Sequence, residues 1–168
     1  MSSPKTLLLD ASQMNQKIRR MAYQIYERNM DEPVLVIAGI QGEGFALATR
    51  LVDVLKEITP IEVIIAEISF DKTSEIQPDI HIQSEVDTFR FKPVILVDDV
   101  LNTGRTLAYS LRPFMTIPLK QIQVAVLVDR NHPKYPIAAD YIGYSLSTTL
   151  NEHVEVSISS QKPGVYLY

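Results

Sequence analysis

Apolar positions return along this chain with two different periods. Met14, Ile18, Met21, Ala22 and Ile25 recur every three or four residues, so residues 11–29 read as one amphipathic helix. Asp31-Glu32-Pro33 ends it, because proline lacks an N–H and restricts the residue before it. Val34-Leu35-Val36-Ile37-Ala38 is then an unbroken apolar run rich in β-branched side chains, the pattern of a strand buried on both faces. A glycine-rich turn follows, and residues 45–58 return to helical spacing. The alternation repeats. Glu62-Val63-Ile64-Ile65-Ala66 and Val94-Ile95-Leu96-Val97 are strands, residues 106–115 a helix, and Gln123-Val124-Ala125-Val126-Leu127-Val128 another buried strand. Buried strands alternating with helices imply an open, mostly parallel α/β sheet flanked by helices. Residues 139–143, 154–158 and 165–168 read as short strands forming an edge addition. Residues 71–90 break the pattern. They are polar, with Asp71, Lys72, Glu75, Asp79, Glu85 and Asp87 and no period, as expected of a mobile segment that covers a site.

Composition narrows the function classes. The 168 residues suit a single domain, 1–168, without repeats or low-complexity stretches. Cysteine is absent, which excludes disulfides, cysteine-ligated clusters and thiol catalysis. His81, His132 and His153 are scattered without metal-ligand spacing. The first ten residues lack the apolar core of a signal peptide, and no apolar run approaches the roughly 20 residues that cross a bilayer. A cytoplasmic protein with no membrane partner is expected. The formal net charge of -4 argues against strong non-specific binding to nucleic acid.

The chemistry concentrates in Val94-Ile95-Leu96-Val97-Asp98-Asp99-Val100-Leu101-Asn102-Thr103-Gly104-Arg105-Thr106. Two carboxylates stand where a central strand emerges, and ligands of open α/β sheets bind at that carboxyl edge. Side chains of adjacent strand residues point to opposite faces, so Asp98 and Asp99 serve one ligand only if the chain leaves the strand there. Paired carboxylates accept hydrogen bonds from a vicinal diol such as a ribose. Thr103-Gly104-Arg105-Thr106 then opens a helix, with backbone N–H groups, a permissive glycine and hydroxyls suited to a phosphate. A diol reader beside a phosphate cradle spells ribose 5-phosphate.

This stretch resembles the signature of type I phosphoribosyltransferases. Val126-Leu127-Val128-Asp129-Arg130-Asn131-His132, Pro136-Ile137-Ala138-Ala139-Asp140-Tyr141-Ile142-Gly143, Glu152-His153-Val154-Glu155-Val156 and Ile25-Tyr26-Glu27-Arg28-Asn29 are similar to the bacterial pyrimidine-operon attenuator proteins, which also have uracil phosphoribosyltransferase activity. The resemblance implies the type I phosphoribosyltransferase fold with a flexible hood at about residues 70–91. It also implies transfer of ribose 5-phosphate from 5-phosphoribosyl-1-pyrophosphate to a nucleobase, uracil first. A transferase for a purine or another base is one alternative. The other is an attenuator-like RNA-binding regulator that senses a nucleoside monophosphate with reduced catalysis. Asp98 and Asp99 would hold the ribose hydroxyls and act in catalysis, while Asn102, Thr103, Gly104, Arg105 and Thr106 would hold the 5-phosphate. Asp129, Arg130 and His132 would form the base site. Magnesium (Mg2+) is expected on the substrate diphosphate rather than in a cage made by protein alone. A homo-oligomer, dimer or higher, is implied.

Two segments depart from the family pattern. Ile40-Gln41-Gly42-Glu43-Gly44 occupies the pyrophosphate loop, but Gln41 and Glu43 stand where the attenuator proteins carry basic residues. A carboxylate beside a diphosphate is repulsive unless a cation intervenes, so a weakened hold on the leaving group is expected. After the second strand the hood has Phe70-Asp71-Lys72-Thr73, which leaves Lys72 as its nearest cation. The first helix keeps Lys17, Arg19, Arg20 and Arg28 as a patchy basic face for RNA.

Overall fold

The chain begins with β1 (Thr6–Leu9) and passes through Asp10 directly into α1 (Ala11–Arg28). The helix start is fixed by a reciprocal capping box. The Asp10 carboxylate accepts from the Gln13 N–H at 2.8 Å, and the Gln13 side chain accepts from the Asp10 N–H at 3.0 Å. Then follow β2 (Val34–Ile40), α2 (Glu43–Ile58), β3 (Glu62–Ser69), β4 (His81–Ile82), β5 (Pro93–Leu101), α3 (Arg105–Ser110), β6 (Gln121–Asp129), β7 (Tyr141–Ser145), β8 (Val154–Ser157) and β9 (Gly164–Leu167). Short 3-10 helices lie at Val86–Phe89 and Arg112–Thr116. The computed structural model describes residues 4–70 and 79–168.

The main sheet has six strands in the order β4-β3-β2-β5-β6-β7. All neighbours are parallel except β4, which runs antiparallel to β3. The apolar runs form its centre because both faces are covered. Ile37, Ile95, Val97 and Leu127 pack beneath α1 and α2, while Val36, Leu96, Val124 and Val126 face a second core that holds Phe89 and Phe114. Burying such side chains contributes about 1.5–3 kcal/mol each before entropy is counted. The parallel, doubly covered sheet is the one the sequence pattern implies.

Four expectations are corrected. Residues 154–158 and 165–168 are not an edge addition: β8 and β9 join β1 in a separate antiparallel sheet of order β1-β9-β8. The strand read at residues 139–143 starts later, at Tyr141. Asp140 instead clasps β6, donating its N–H to the Val124 carbonyl and accepting the Val124 N–H, each at 2.8 Å. The helix read at residues 106–115 stops at Ser110, because Pro113 cannot supply an α-helical N–H and the chain tightens into a 3-10 turn. Residues 71–90 are not irregular throughout. Ile82 pairs with Ile68, His81 with Ser69, and Phe89 is fully buried at 5.7 Å from the Phe114 ring. Lys72 lies outside the described residues.

Candidate functional site

Two turns converge at the carboxyl ends of adjacent parallel strands. One leaves β5 and carries residues 98–106; the other leaves β2 and carries residues 40–44. Their meeting point is tight. A Cβ on Gly44 would stand 2.9 Å from Asp98 Oδ1 and 3.2 Å from Asp98 Cα, so only glycine lets the two turns touch. A cleft of about 230 Å³ is lined by residues 98–107.

Asp98 and Asp99 are brought to one cleft, though not by the chain leaving the strand. β5 stays paired with β6 through Val100–Val128 and Leu101–Asp129. What changes is the alternation. Val94 and Leu96 face one core and Ile95 and Val97 the other, so strict alternation would put Val100 with Val94 and Leu96. Val100 instead joins Ile95 and Val97, while Leu101 joins the Val94 side. The slip falls at Asp98 and Asp99. Each carboxylate takes the N–H of the residue after it: Asp98 Oδ1 from Asp99 at 2.9 Å and Asp99 Oδ1 from Val100 at 2.8 Å. Asp98 is 5% exposed and Asp99 half-buried.

The cradle residues follow in register. Thr103 Oγ accepts the Arg105 N–H at 3.3 Å. Gly104 caps α3 at φ 84°, in the left-handed region, with its Cβ position 3.2 Å from Ile137 Cβ. Both the backbone angle and the close neighbour exclude a side chain there. The carbonyl of Thr103 accepts from the Lys134 and Tyr135 N–H groups at 2.7 and 3.1 Å, which docks the loop after β6 against the cradle. Asn102 is exposed at the cleft, and Thr106 lies on the first turn of α3 and lines it.

Arg130 is where the structure departs most from the sequence reading of the base site. It is 7% exposed, and its guanidinium is a hub rather than a reader. It donates to Asn102 Oδ1 at 2.7 Å, Thr148 Oγ at 2.9 Å, the Glu152 carbonyl at 2.5 Å and the Thr149 carbonyl at 3.3 Å. The cradle, the loop after β6 and the loop after β7 are therefore tied through one fork of donors. His132 joins the same group, with Nε2 at 3.2 Å from Thr148 Oγ. Asp129 turns back to accept the Asn131 N–H at 2.9 Å, with Asn131 in the left-handed region at φ 60°. Thr148 and Thr149 were missed from the sequence, being polar residues in a short loop with no motif, and Glu152, quoted only as part of a resembling stretch, joins them through the bonds of Arg130. Glu152 has a pKa below the ordinary carboxylate range, chiefly because its carboxylate accepts the Thr149 N–H, at 2.6 Å.

In the turn after β2, expected as the pyrophosphate loop, Ile40 is fully buried and Gln41 is held at both ends. Its N–H goes to the Ile68 carbonyl at 2.8 Å and its Nε2 to the Phe70 carbonyl at 2.6 Å. Gly42 is exposed at φ 85°. Glu43 accepts the Ile158 N–H at 2.7 Å, the Ser159 hydroxyl at 2.6 Å and the Ser159 N–H at 3.4 Å. Its carboxylate is thus engaged by the turn after β8. The arginines of α1 are likewise engaged within the chain. Arg19 pairs with Glu57 at 3.2 Å, Arg20 donates to the Gly143 carbonyl at 2.6 Å, and Arg28 donates to the Asp140 carbonyl at 3.2 Å.

Strand-end carboxylates beside a glycine-opened helix thus stand on a doubly covered parallel sheet, the arrangement that the resemblance implies. A family model, "Phosphoribosyl transferase domain", matches residues 6–161. The chain belongs to the phosphoribosyltransferase family. It is 35% identical to the "Bifunctional protein pyrR" of Enterococcus faecalis over 94% of this chain and 92% of that one. It is 38% identical to the "Bifunctional protein PyrR" of Oceanobacillus iheyensis over the same shares. Among solved structures, a hypoxanthine-guanine phosphoribosyltransferase from Bacillus anthracis superposes with TM-score 0.76 at 19% identity, covering 96% of this chain and 95% of that one. At that identity the likeness speaks for the fold.

Proposed function

We propose that this protein transfers ribose 5-phosphate from 5-phosphoribosyl-1-pyrophosphate to uracil. The observation that carries the reading is the junction at Gly44 and Asp98, where a glycine turn abuts the carboxylate-and-cradle loop that lines the cleft. A nitrogen of the base attacks C1 of the ribose as the C1–oxygen bond to pyrophosphate breaks. Positive charge grows on the sugar, and the Asp98 and Asp99 carboxylates would be the anionic groups that meet it while holding the ribose hydroxyls. One backbone N–H fixes an oxygen of each carboxylate, which orients it before substrate arrives. Asn102, Thr103 and the start of α3 take the 5-phosphate, and Arg130 holds Asn102 in place.

Carboxylate oxygens are the hard donors that magnesium takes, so Asp98 and Asp99 suit a metal carried in on the substrate. Among the described residues no group of three or more His, Cys, Asp or Glu side chains converges as a metal cage. Bound there, magnesium supplies neutralisation of the leaving diphosphate. Uracil is favoured over a purine by the likeness to the pyrimidine-operon proteins. The base would enter beside His132 and Thr148, in the loops that Arg130 ties together. Residues 71–78, with Lys72, would belong to the hood. An RNA-binding role on α1 gains less support, because Arg19, Arg20 and Arg28 each have an acceptor within the chain. Cytoplasmic location and a homo-oligomer accompany this reading.

The test is pyrophosphate release from the activated sugar and magnesium with each common nucleobase in turn. Release with uracil well above that with hypoxanthine or guanine is expected. Release with a purine alone would reassign the base, and release with none would remove the transferase reading.

A further inference from the structure

The pyrophosphate turn has no cation of its own. Residues 39–49 contain no lysine or arginine. The start of α2 also lacks the usual side-chain cap, since Gly42 stands at the N-cap with φ 85° and makes no side-chain hydrogen bond there. A glycine in that position leaves the turn many conformations, and fixing one of them costs entropy. Something else must hold its N–H groups toward a diphosphate.

The contacts of Glu43 supply that hold. Its carboxylate accepts from the Ile158 N–H, the Ser159 hydroxyl and the Ser159 N–H, 115 and 116 residues further along the chain. Ile158 is 5% exposed and packs in the core under α1 and α2, so the anchor is a fixed point. On the other side, Gln41 is fastened to the carbonyls of Ile68 and Phe70. Gly42 lies between these two fastenings with no atom within 4 Å of its Cβ position. One residue further, Gly44 abuts Asp98, so slack at Glu43 would be felt where the two turns meet.

We propose that Glu43 is a positioning residue for the diphosphate half of the substrate. Latched to Ile158 and Ser159, it holds the backbone of residues 42–44 ready for the anion, so that the small sheet of β1, β8 and β9 becomes part of the binding apparatus. The proposal rests on the transferase reading above. It also reverses the expected effect of the charge. A carboxylate facing the diphosphate would repel it, whereas one held by the turn after β8 orders the loop that receives it.

Titration calorimetry on the full chain separates these cases with two probes. Uridine monophosphate uses the ribose-phosphate cradle and the base site but carries no diphosphate, and 5-phosphoribosyl-1-pyrophosphate with magnesium uses both turns. Glu43→Ala is expected to weaken the activated sugar about tenfold, the scale of one hydrogen bond to a charged group, with the monophosphate changed by less than about twofold. Glu43→Gln, which keeps an acceptor for the Ile158 N–H, should recover most of the loss. In turnover the defect should appear in KM for the activated sugar rather than in kcat. Tighter binding of the activated sugar by both Glu43 variants would overturn the proposal in favour of repulsion. Equal loss of both probes, in step with melting temperature, would overturn it in favour of a purely structural role. If Glu43→Ala does not fold, Ser159→Ala removes one of the bonds, and the same selective weakening is expected at about threefold. A native chain that binds the monophosphate but shows no selective effect in the variants sinks the latch alone; one that binds neither probe sinks the transferase reading with it.

Discussion

The two turns that meet at Gly44 and Asp98 each end a parallel strand, and they are held in shape with different resources. The turn after β5 is shaped first from within: its carboxylates are oriented by their own next N–H groups, Thr103 supports the start of α3 two residues on, and the loop after β6 braces it from behind. The turn after β2 is not. Its glycines give it room, and its shape is imposed from outside, by β3 at Gln41 and by the turn after β8 at Glu43. A site built from consecutive residues travels with its sequence. One built from distant contacts depends on the whole fold.

The largest expected effect tests the turn after β5. Thr103→Val together with Thr106→Val keeps side-chain size, removes two hydroxyls from the cradle and releases the Arg105 N–H from Thr103. Hydrogen bonds to a charged phosphate are worth roughly 1.5–3 kcal/mol each, so affinity for uridine monophosphate should fall by several hundredfold or more. The activated sugar should weaken in parallel, unlike the selective loss expected at Glu43. Unchanged monophosphate affinity by calorimetry would remove the hydroxyls from the cradle.

A smaller effect should come from the hub that braces this turn from behind. Arg130→Met takes a buried guanidinium from Asn102, Thr148 and two carbonyls and leaves those acceptors to find other donors. A loss of roughly 2–3 kcal/mol in denaturant unfolding is expected, with weaker monophosphate binding because Asn102 is released. Arg130→Lys should not restore either, since one ammonium cannot reproduce the fork. Full stability in Arg130→Met would mean the network is incidental.

The same contrast explains what was legible in the sequence. Strands β2, β5 and β6 announce themselves because a doubly buried strand needs an unbroken apolar run, and the carboxylates and cradle of β5 lie within thirteen consecutive residues. β1 was not read: two of its four residues are exposed, and its identity as a strand comes from pairing with β9 at the far end of the chain. The early stop of α3 had a signal in Pro113, which the helical spacing of its neighbours masked. Glu43 looked like a charge facing a diphosphate because its partners lie more than a hundred residues away. Arg130, a candidate base reader from its place after β6, is buried and bonded as a brace, and burial is not a local property.

The smallest expected effect is a pH dependence in the loop that Arg130 holds. Glu152 accepts the Thr149 N–H, which favours its ionised form and keeps its pKa below the ordinary range, with Arg130 adding to the shift. A carboxylate with a depressed folded pKa contributes stability that is present above its unfolded pKa, about 4.3, and is lost as pH falls through the folded value. Melting temperatures of the native chain and Glu152→Gln should therefore differ slightly at pH 7, with the native chain higher, and converge as pH drops below about 4. The amide oxygen of glutamine can still accept the Thr149 N–H, so the difference isolates the charge rather than the bond. Because this carboxylate belongs to the brace and not to the latch, the same titration should leave the selectivity between monophosphate and activated sugar untouched at neutral pH. A melting difference that stays constant down to pH 3 would show that Glu152 acts through shape alone. One that widens in acid would reverse the sign argued here and place a different group in control of the loop.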